Sequence, residues 1–314
     1  MKMVTTLGEI LVEIMSTSLG QSFLKPGTLV GPYPSGAPAI FIDQAAHLGQ
    51  PCGLIGCIGN DDFGRLNFDR LEADGVDVSA IAIHPDAPTG SAFVTYSESG
   101  ERHFVFNILH SASGRLTITV AAEQLLSRTD HLHVMGSSLF SPRLIEVART
   151  AIDRVKGRGG RLSFDPNIRR ELPRGSELGS FFDHLLPRCD LVMPSGPELS
   201  VLTGVTDEKQ AAAALVGRGV PEVVVKRGAA GAIHYDRNGA TRIAPIEVEE
   251  VDPTGAGDCF DATFVACWLR GMKTEECLRY ANASGAHKVL FKGPMEGVAS
   301  LAELEAWLGA RQST

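Results

Sequence analysis

From about residue 130 onward, a short apolar run, a turn and a helix-like stretch recur in that order. The runs occupy residues 132–135, 162–164, 191–193 and 223–225. This alternation predicts an α/β fold, a mainly parallel sheet with helices on both faces. Earlier in the chain the pattern predicts a strand at residues 10–12, a helix around 39–48 and a turn-rich stretch bearing Gly53, Gly56, Gly59 and Gly64. Residues 81–106 differ. Residues 92–96, a Ser97-Glu98-Ser99-Gly100 turn and residues 103–106 alternate as a β-hairpin. Such strands form either a small separate sheet or an antiparallel edge on the main one. Late in the chain Phe260, Phe264, Cys267 and Trp268 share one helical face, predicting a helix that opens near Gly257 and stops at Gly271. No repeat, linker or low-complexity segment interrupts the chain, so residues 1–314 are expected to be one continuous unit.

Composition narrows the function classes. The apolar fraction of 44% and charged fraction of 21% are those of a globular protein, and 314 residues can bury a substantial core. The net charge of -8, without a basic run, argues against a nucleic-acid partner. No segment has the ~18 consecutive apolar residues of a membrane span. The first residues lack the charged and apolar regions of a signal peptide, so the cytoplasm is the expected location. The six cysteines form no C-x-x-C pair and read as buried thiols.

The candidate chemistry gathers after the apolar runs. They lead into Gly136-Ser137, Asp165-Pro166-Asn167, Pro194-Ser195-Gly196-Pro197-Glu198 and Lys226-Arg227-Gly228. In an open parallel sheet, ligands bind beyond the carboxyl ends of the strands, so these groups are expected to face one crevice. Asp252-Pro253-Thr254-Gly255-Ala256-Gly257-Asp258 is the most specific stretch. The amides of Gly255, Ala256 and Gly257 at a helix N-terminus would be free to hold an anion. Asp258 in the first turn would stand beside it, placed to take a proton from an attacking hydroxyl. The plainer alternative is a Gly-rich turn whose Asp favours the helix dipole. The G-x-x-x-x-G-K-[ST] loop is absent, which excludes the ordinary P-loop.

The 252–258 stretch resembles the signature of the ribokinase-like (PfkB-type) carbohydrate kinases. So do Gly8-Glu9, Ser35-Gly36-Ala37-Pro38-Ala39, residues 56–64, Asp165-Pro166-Asn167-Ile168-Arg169 and residues 281–286, all in family order. The resemblance implies a ribokinase-like three-layer fold with a small β lid from roughly residues 10–35 and 81–110. It implies an ATP- and Mg²⁺-dependent sugar kinase with Asp258 as the catalytic base and the preceding glycines as the anion hole. Asn167 and Arg169 would line the sugar and phosphate side of the cleft. Glu198 would hold magnesium through water, with Ser195 replacing the family's Asn. Lys226, Gly228 and Gly231 would hold nucleotide phosphates, and Asn282 would lie near the adenine. Asp252 and Thr254 resemble part of a monovalent-cation (K⁺) site, and pairing of two copies through the lid is a family habit.

The sugar end departs from the family. Glu13 stands where relatives have an Asp, Ile40 replaces an Asn and Ser35 a Gly; Gly36, Glu13, Asn107 and Asn167 are the expected sugar contacts. Kinases for 2-keto-3-deoxygluconate carry a lid Arg where this chain has Ile108. That would leave Arg169 as the cation for an acid sugar, with none from the lid, and favours a neutral ketohexose. The run from Val30 to Ile40 resembles bacterial tagatose kinases, so D-tagatose converted to tagatose 6-phosphate is the first expectation. Fructose and the deoxy-keto acid are alternatives. A catalytically silent sugar-binding or regulatory protein on the same fold is the rival class.

Overall fold

Val4–Leu7, a segment without a long apolar run, forms β1 in the interior of the main sheet. The chain continues through β2 (Leu11–Leu19), β3 (Leu29–Ser35), α1 (Ala37–His47), β4 (Cys52–Gly59), α2 (Asp62–Ala73), β5 (Ile81–His84), β6 (Gly90–Tyr96) and β7 (Arg102–Asn107). Next come α3 (Val120–Arg128), β8 (His131–Met135), α4 (Pro142–Gly157), β9 (Arg161–Asp165), α5 (Glu177–Leu185), β10 (Leu191–Val192), α6 (Gly196–Thr203) and α7 (Glu208–Gly217). The last part holds β11 (Glu222–Lys226), β12 (Ala232–Asp236), β13 (Gly239–Ile243), α8 (Ala256–Leu269), α9 (Thr274–Lys288) and α10 (Leu301–Gln312). This is a computed structural model, and it describes residues 1–100, 102–168 and 177–312.

Nine strands make one sheet in the order β13-β12-β11-β10-β9-β8-β1-β4-β5. Pairs from β5 to β11 are parallel, and β12 and β13 turn back antiparallel at one edge. Successive strand residues point to opposite faces. Val223 and Val225 join a core with α3, α4, α5 and α7, whereas Val224 joins α1, α8 and α9 on the other face. The three-layer α/β expectation is met.

A second, four-stranded sheet has the order β3-β2-β6-β7, with β2 and β6 parallel and the outer pairs antiparallel. The hairpin therefore belongs to a separate sheet. Its expected extent needs correction, because β5 pairs with β4 on the edge of the main sheet and the lid resumes only at Gly90. The strand expected at residues 10–12 is the start of β2, a lid strand, and β1 escaped notice.

The turn-rich reading of Gly53 to Gly64 also fails. Cys52–Gly59 is a wholly buried strand, followed by α2. Its glycines reflect close packing: a Cβ at Gly56 would lie 2.5 Å from Ile10 Cδ1. The β12–β13 hairpin was missed as well, although its Asn238-Gly239 pair is a turn signal. Among the described residues, no helix is long and apolar enough to cross a membrane.

Candidate active site

α8 is apolar on nearly every face, with Cys259, Phe260, Phe264 and Cys267 buried against α1 and α9. Packing on all sides fixes its N-terminus, and with it the position of Asp258. The approach is an Asx-type turn in which the Thr254 amide donates to the Asp252 carboxylate at 3.0 Å. Gly255 then takes φ 87°, and a Cβ there would lie 2.5 Å from the Pro294 carbonyl oxygen. Only glycine fits this position.

The three expected anion-binding amides are not equivalent. Among the described residues, no backbone bond engages the Gly255 and Gly257 amides, whereas Ala256 N–H closes a turn on the Pro253 carbonyl at 3.3 Å. Ala256 is corrected accordingly: the tight turn that positions its neighbours uses its donor. All three residues line a cleft of about 630 Å³ with Asp258, Glu198, Lys226 and Asn282.

Asp258 is 4% exposed and receives the Asn167 side-chain amide at 3.2 Å. Asn167 reaches it from a left-handed backbone with φ 34°, held by its own N–H donating to Asp165 Oδ1 at 3.0 Å. Asp165 Oδ2 accepts from Lys226 Nζ at 2.9 Å, and the same ammonium donates to Asp261 Oδ2 at 2.7 Å. Two buried carboxylates thus share one cation. Burial pushes the Asp261 pKa well above the usual range, and Lys226 does not compensate. Burial also opposes the charge on Asp165, but Lys226 overcomes it and holds that pKa down. Burial thus favours the neutral form of Asp261, and the shared ammonium favours the ionised form of Asp165. Burial disfavours the Lys226 charge, and Asp165 with Asp261 more than offsets it, so its pKa is raised. Lys226 sits beneath the turn that opens α8, 3.8 Å from where a Gly257 Cβ would be. Asp261 was absent from the sequence reading; its only local signal is a second Asp one helical turn after Asp258.

Glu198 accepts from the Ile168 amide at 2.6 Å through one oxygen and from the Ser195 amide and hydroxyl, both at 2.7 Å, through the other. Ser195 caps α6, donates its hydroxyl to Glu198 and lines the same cleft. Oε2 is filled by its two donors, whereas Oε1 accepts only one and retains a lone pair, so Glu198 suits a hydrated magnesium ion held through water. Gly228 and Gly231 line the same cleft with φ 54° and 80°. A Cβ at Gly231 would collide with the Ile243 carbonyl, whereas Gly228 faces open space. Asn282 lines the cleft too, and its amide donates to the Ala244 carbonyl at 2.9 Å, fixing the segment after β13. Asp252 is buried, and its carboxylate accepts from the Thr254 and Gly293 amides at 3.0 and 2.9 Å.

A smaller pocket opens on the other side of Asp258, beneath the lid. Glu13 stands in it and accepts from the Ser35 hydroxyl at 2.7 Å. Glu9 accepts from Ser137 at 2.8 Å and also from Ser138. Gly36, with φ 114°, passes so close to the Glu9 carbonyl that a side chain would clash. Phe104, Phe106 and Ile108 supply the apolar wall. Asn107 is not part of it. Alternation along β7 turns its side chain to the opposite face, where it lines a separate groove with Asp61 and His110. Arg169 lies outside the described residues.

The lid does contribute a cation, contrary to expectation. Arg102 donates to the Thr254 hydroxyl at 3.1 Å and lines the wide cleft. Its place follows from the lid folding back over a residue 152 positions away, and no local pattern announces it. Among the described residues, the small pocket itself is lined by no Lys or Arg.

Comparison with known proteins agrees with this geometry. The "pfkB family carbohydrate kinase" pattern matches residues 1–300. Fructokinase-1 of Oryza sativa subsp. japonica is 30% identical, with 96% of each chain covered. The 2-dehydro-3-deoxygluconokinase of Thermoproteus tenax is 31% identical over 97% of this chain and 93% of its own. An Escherichia coli protein provisionally called Ribokinase II, solved with ATP and Mg²⁺, is 47% identical with a TM-score of 0.94, covering 99% of this chain and 100% of its own. The chain belongs to the pfkB family of carbohydrate kinases.

Proposed function

We propose that this sugar kinase phosphorylates the terminal primary hydroxyl of a neutral ketohexose, D-tagatose first and D-fructose second, using ATP with Mg²⁺. One observation carries the substrate class. The small pocket presents Glu9, Glu13 and Asp258 and, among the described residues, no cation. A sugar carboxylate there would face these three acidic side chains, and like charges brought together away from water are unfavourable. Polyol hydroxyls can donate to the same carboxylates. The lid cation Arg102 lines the wide cleft and donates to Thr254, a residue of the small pocket, so it stands at the boundary where a phosphate would pass.

Asp258 lines both compartments, so it stands between the two substrates. Its carboxylate takes the proton of the attacking hydroxyl, and Asn167 orients it. The Gly255 and Gly257 amides and the N-terminus of α8 hold the transferred group as negative charge spreads over its oxygens. Lys226 beneath the turn adds positive potential. Bound magnesium would offset phosphate charge, and Glu198 would hold it through water. The lid excludes water as a competing acceptor.

Measuring kcat/KM for D-tagatose, D-fructose and 2-keto-3-deoxygluconate decides the substrate. The expected order is tagatose, then fructose, then the keto acid; preference for the acid overturns the neutral-sugar reading. Absence of sugar-dependent ATP turnover across a ketohexose panel would favour a silent sugar-binding protein. Exposed Leu19, Leu29 and Val105 on the small sheet, with Leu24 in the turn between β2 and β3, support pairing of two copies through the lid, which sedimentation can check.

A further inference from the structure

Lys288 ends α9 with a side chain that is 0% exposed, and the mechanism above does not use it. A buried ammonium is costly unless its N–H groups find acceptors. This one donates to two main-chain carbonyls, Asp252 at 3.3 Å and Phe291 at 3.1 Å. Burial pulls its pKa down, and Asp252 is the leading influence against that. The two carbonyls belong to the segments before α8 and after α9. Backbone bonds from Val251 and Asp252 to the Val289 carbonyl, at 2.7 and 3.1 Å, join the same segments. The lysine also presses on the anion turn: a Cβ at Gly255 would lie 3.4 Å from Lys288 Cε.

Carbonyl oxygens converging on one positive charge are the kind of environment that replaces the hydration shell of potassium. Here that charge is covalently attached to the chain. The Asp252 carboxylate, expected to help hold a monovalent ion, already accepts two backbone N–H groups, and its carbonyl is met by Lys288. We propose that Lys288 is a positioning residue whose ammonium acts as a tethered monovalent cation. It fixes residues 252–255 so that the Gly255 and Gly257 amides face the transferred phosphate, and nucleotide binding does not depend on added potassium. The inference rests on the kinase reading and goes beyond it by assigning the cation to this chain's own side chain.

The test is MgATP affinity by titration calorimetry, without sugar, in choline chloride and in potassium chloride of equal ionic strength. Wild type is expected to give the same Kd in both salts, within about twofold. Lys288→Ala removes the charge and opens space; it is expected to bind about tenfold more weakly in choline and to recover in potassium or ammonium chloride. Lys288→Met keeps the bulk without the charge and is expected to weaken binding without recovery. Wild-type binding that tightens about fivefold or more in potassium overturns the proposal. So does a Lys288→Ala protein that binds like wild type or is weakened equally in every salt. If Lys288→Ala does not fold, the wild-type comparison still decides. A wrong sugar assignment leaves these readings unchanged, whereas wild type that binds no MgATP in either salt overturns the kinase reading and this one with it.

Discussion

Asn167 donates its side-chain amide to the Asp258 carboxylate at 3.2 Å from a left-handed backbone, joining the end of β9 to the start of α8. The bond fixes one carboxylate oxygen and turns the carboxyl group toward the cleft. Asp258→Asn is expected to lower kcat by about 10²–10⁴, with MgATP and sugar affinity largely kept. Asn167→Ala should lower kcat less, because it loosens the carboxylate without removing it. Steady-state kinetics with calorimetric binding distinguish these outcomes; near-normal turnover by Asp258→Asn would remove it from the mechanism.

Gly255 and Gly257 should respond differently to a side chain. At Gly255, φ 87° and the Pro294 carbonyl at 2.5 Å make alanine strained by about 1–3 kcal/mol, so its melting temperature and activity should both fall. At Gly257 the nearest atom to an added Cβ is Lys226 Nζ at 3.8 Å, on the cleft side. Gly257→Val is therefore expected to lose activity by crowding the phosphate, with little loss of stability. The comparison fails if both variants lose stability equally.

The opposite pKa shifts of Asp165 and Asp261 predict an asymmetry around Lys226. Lys226→Met would leave the Asp165 charge buried without its partner and cost about 3–5 kcal/mol in urea denaturation. Asp261→Asn removes a carboxyl whose charge burial disfavours and should cost about 1 kcal/mol. The reverse order would mean that Asp261 carries the charge.

Stability should fall on mild acidification because of two histidines. His131 and His133 are buried and share the Ser163 hydroxyl at 2.7 Å each. Burial pushes His131 well below the usual histidine pKa and His133 down to about 3. The unfolded chain takes protons near pH 6.5 while the folded one does not, so stability present above that pH is lost as pH falls toward 3. Each histidine contributes a slope of about 1.4 kcal/mol per pH unit within that window. Urea unfolding between about pH 6.5 and pH 5 should show a shallower slope in His133→Gln than in wild type; equal slopes would mean that the imidazole is protonated in the folded state.

Contiguous features were legible. The anion turn, Asp258 and Asn167 lie in short segments whose glycines, prolines and flanking apolar runs fix their local form. The alternation of strands and helices was legible for the same reason, since neighbouring side chains set which face is apolar. β4 was misread because its glycines answer to close packing from distant segments, Gly53 to Leu125 and Gly56 to Ile10, not to a turn. Asn107 was misplaced by strand parity, which a register known only after pairing with β6 decides.

The sequence by itself determined the reaction class and the fold class, because those rest on residues adjacent in the chain. Tertiary structure alone decided which charges meet. Lys226 finds Asp165 across 61 positions and Asp261 across 35, Arg102 finds Thr254 across 152, and Lys288 finds the Asp252 carbonyl across 36. A buried charge is tolerated only where partners converge on it, and that convergence is a property of packed elements rather than of any segment.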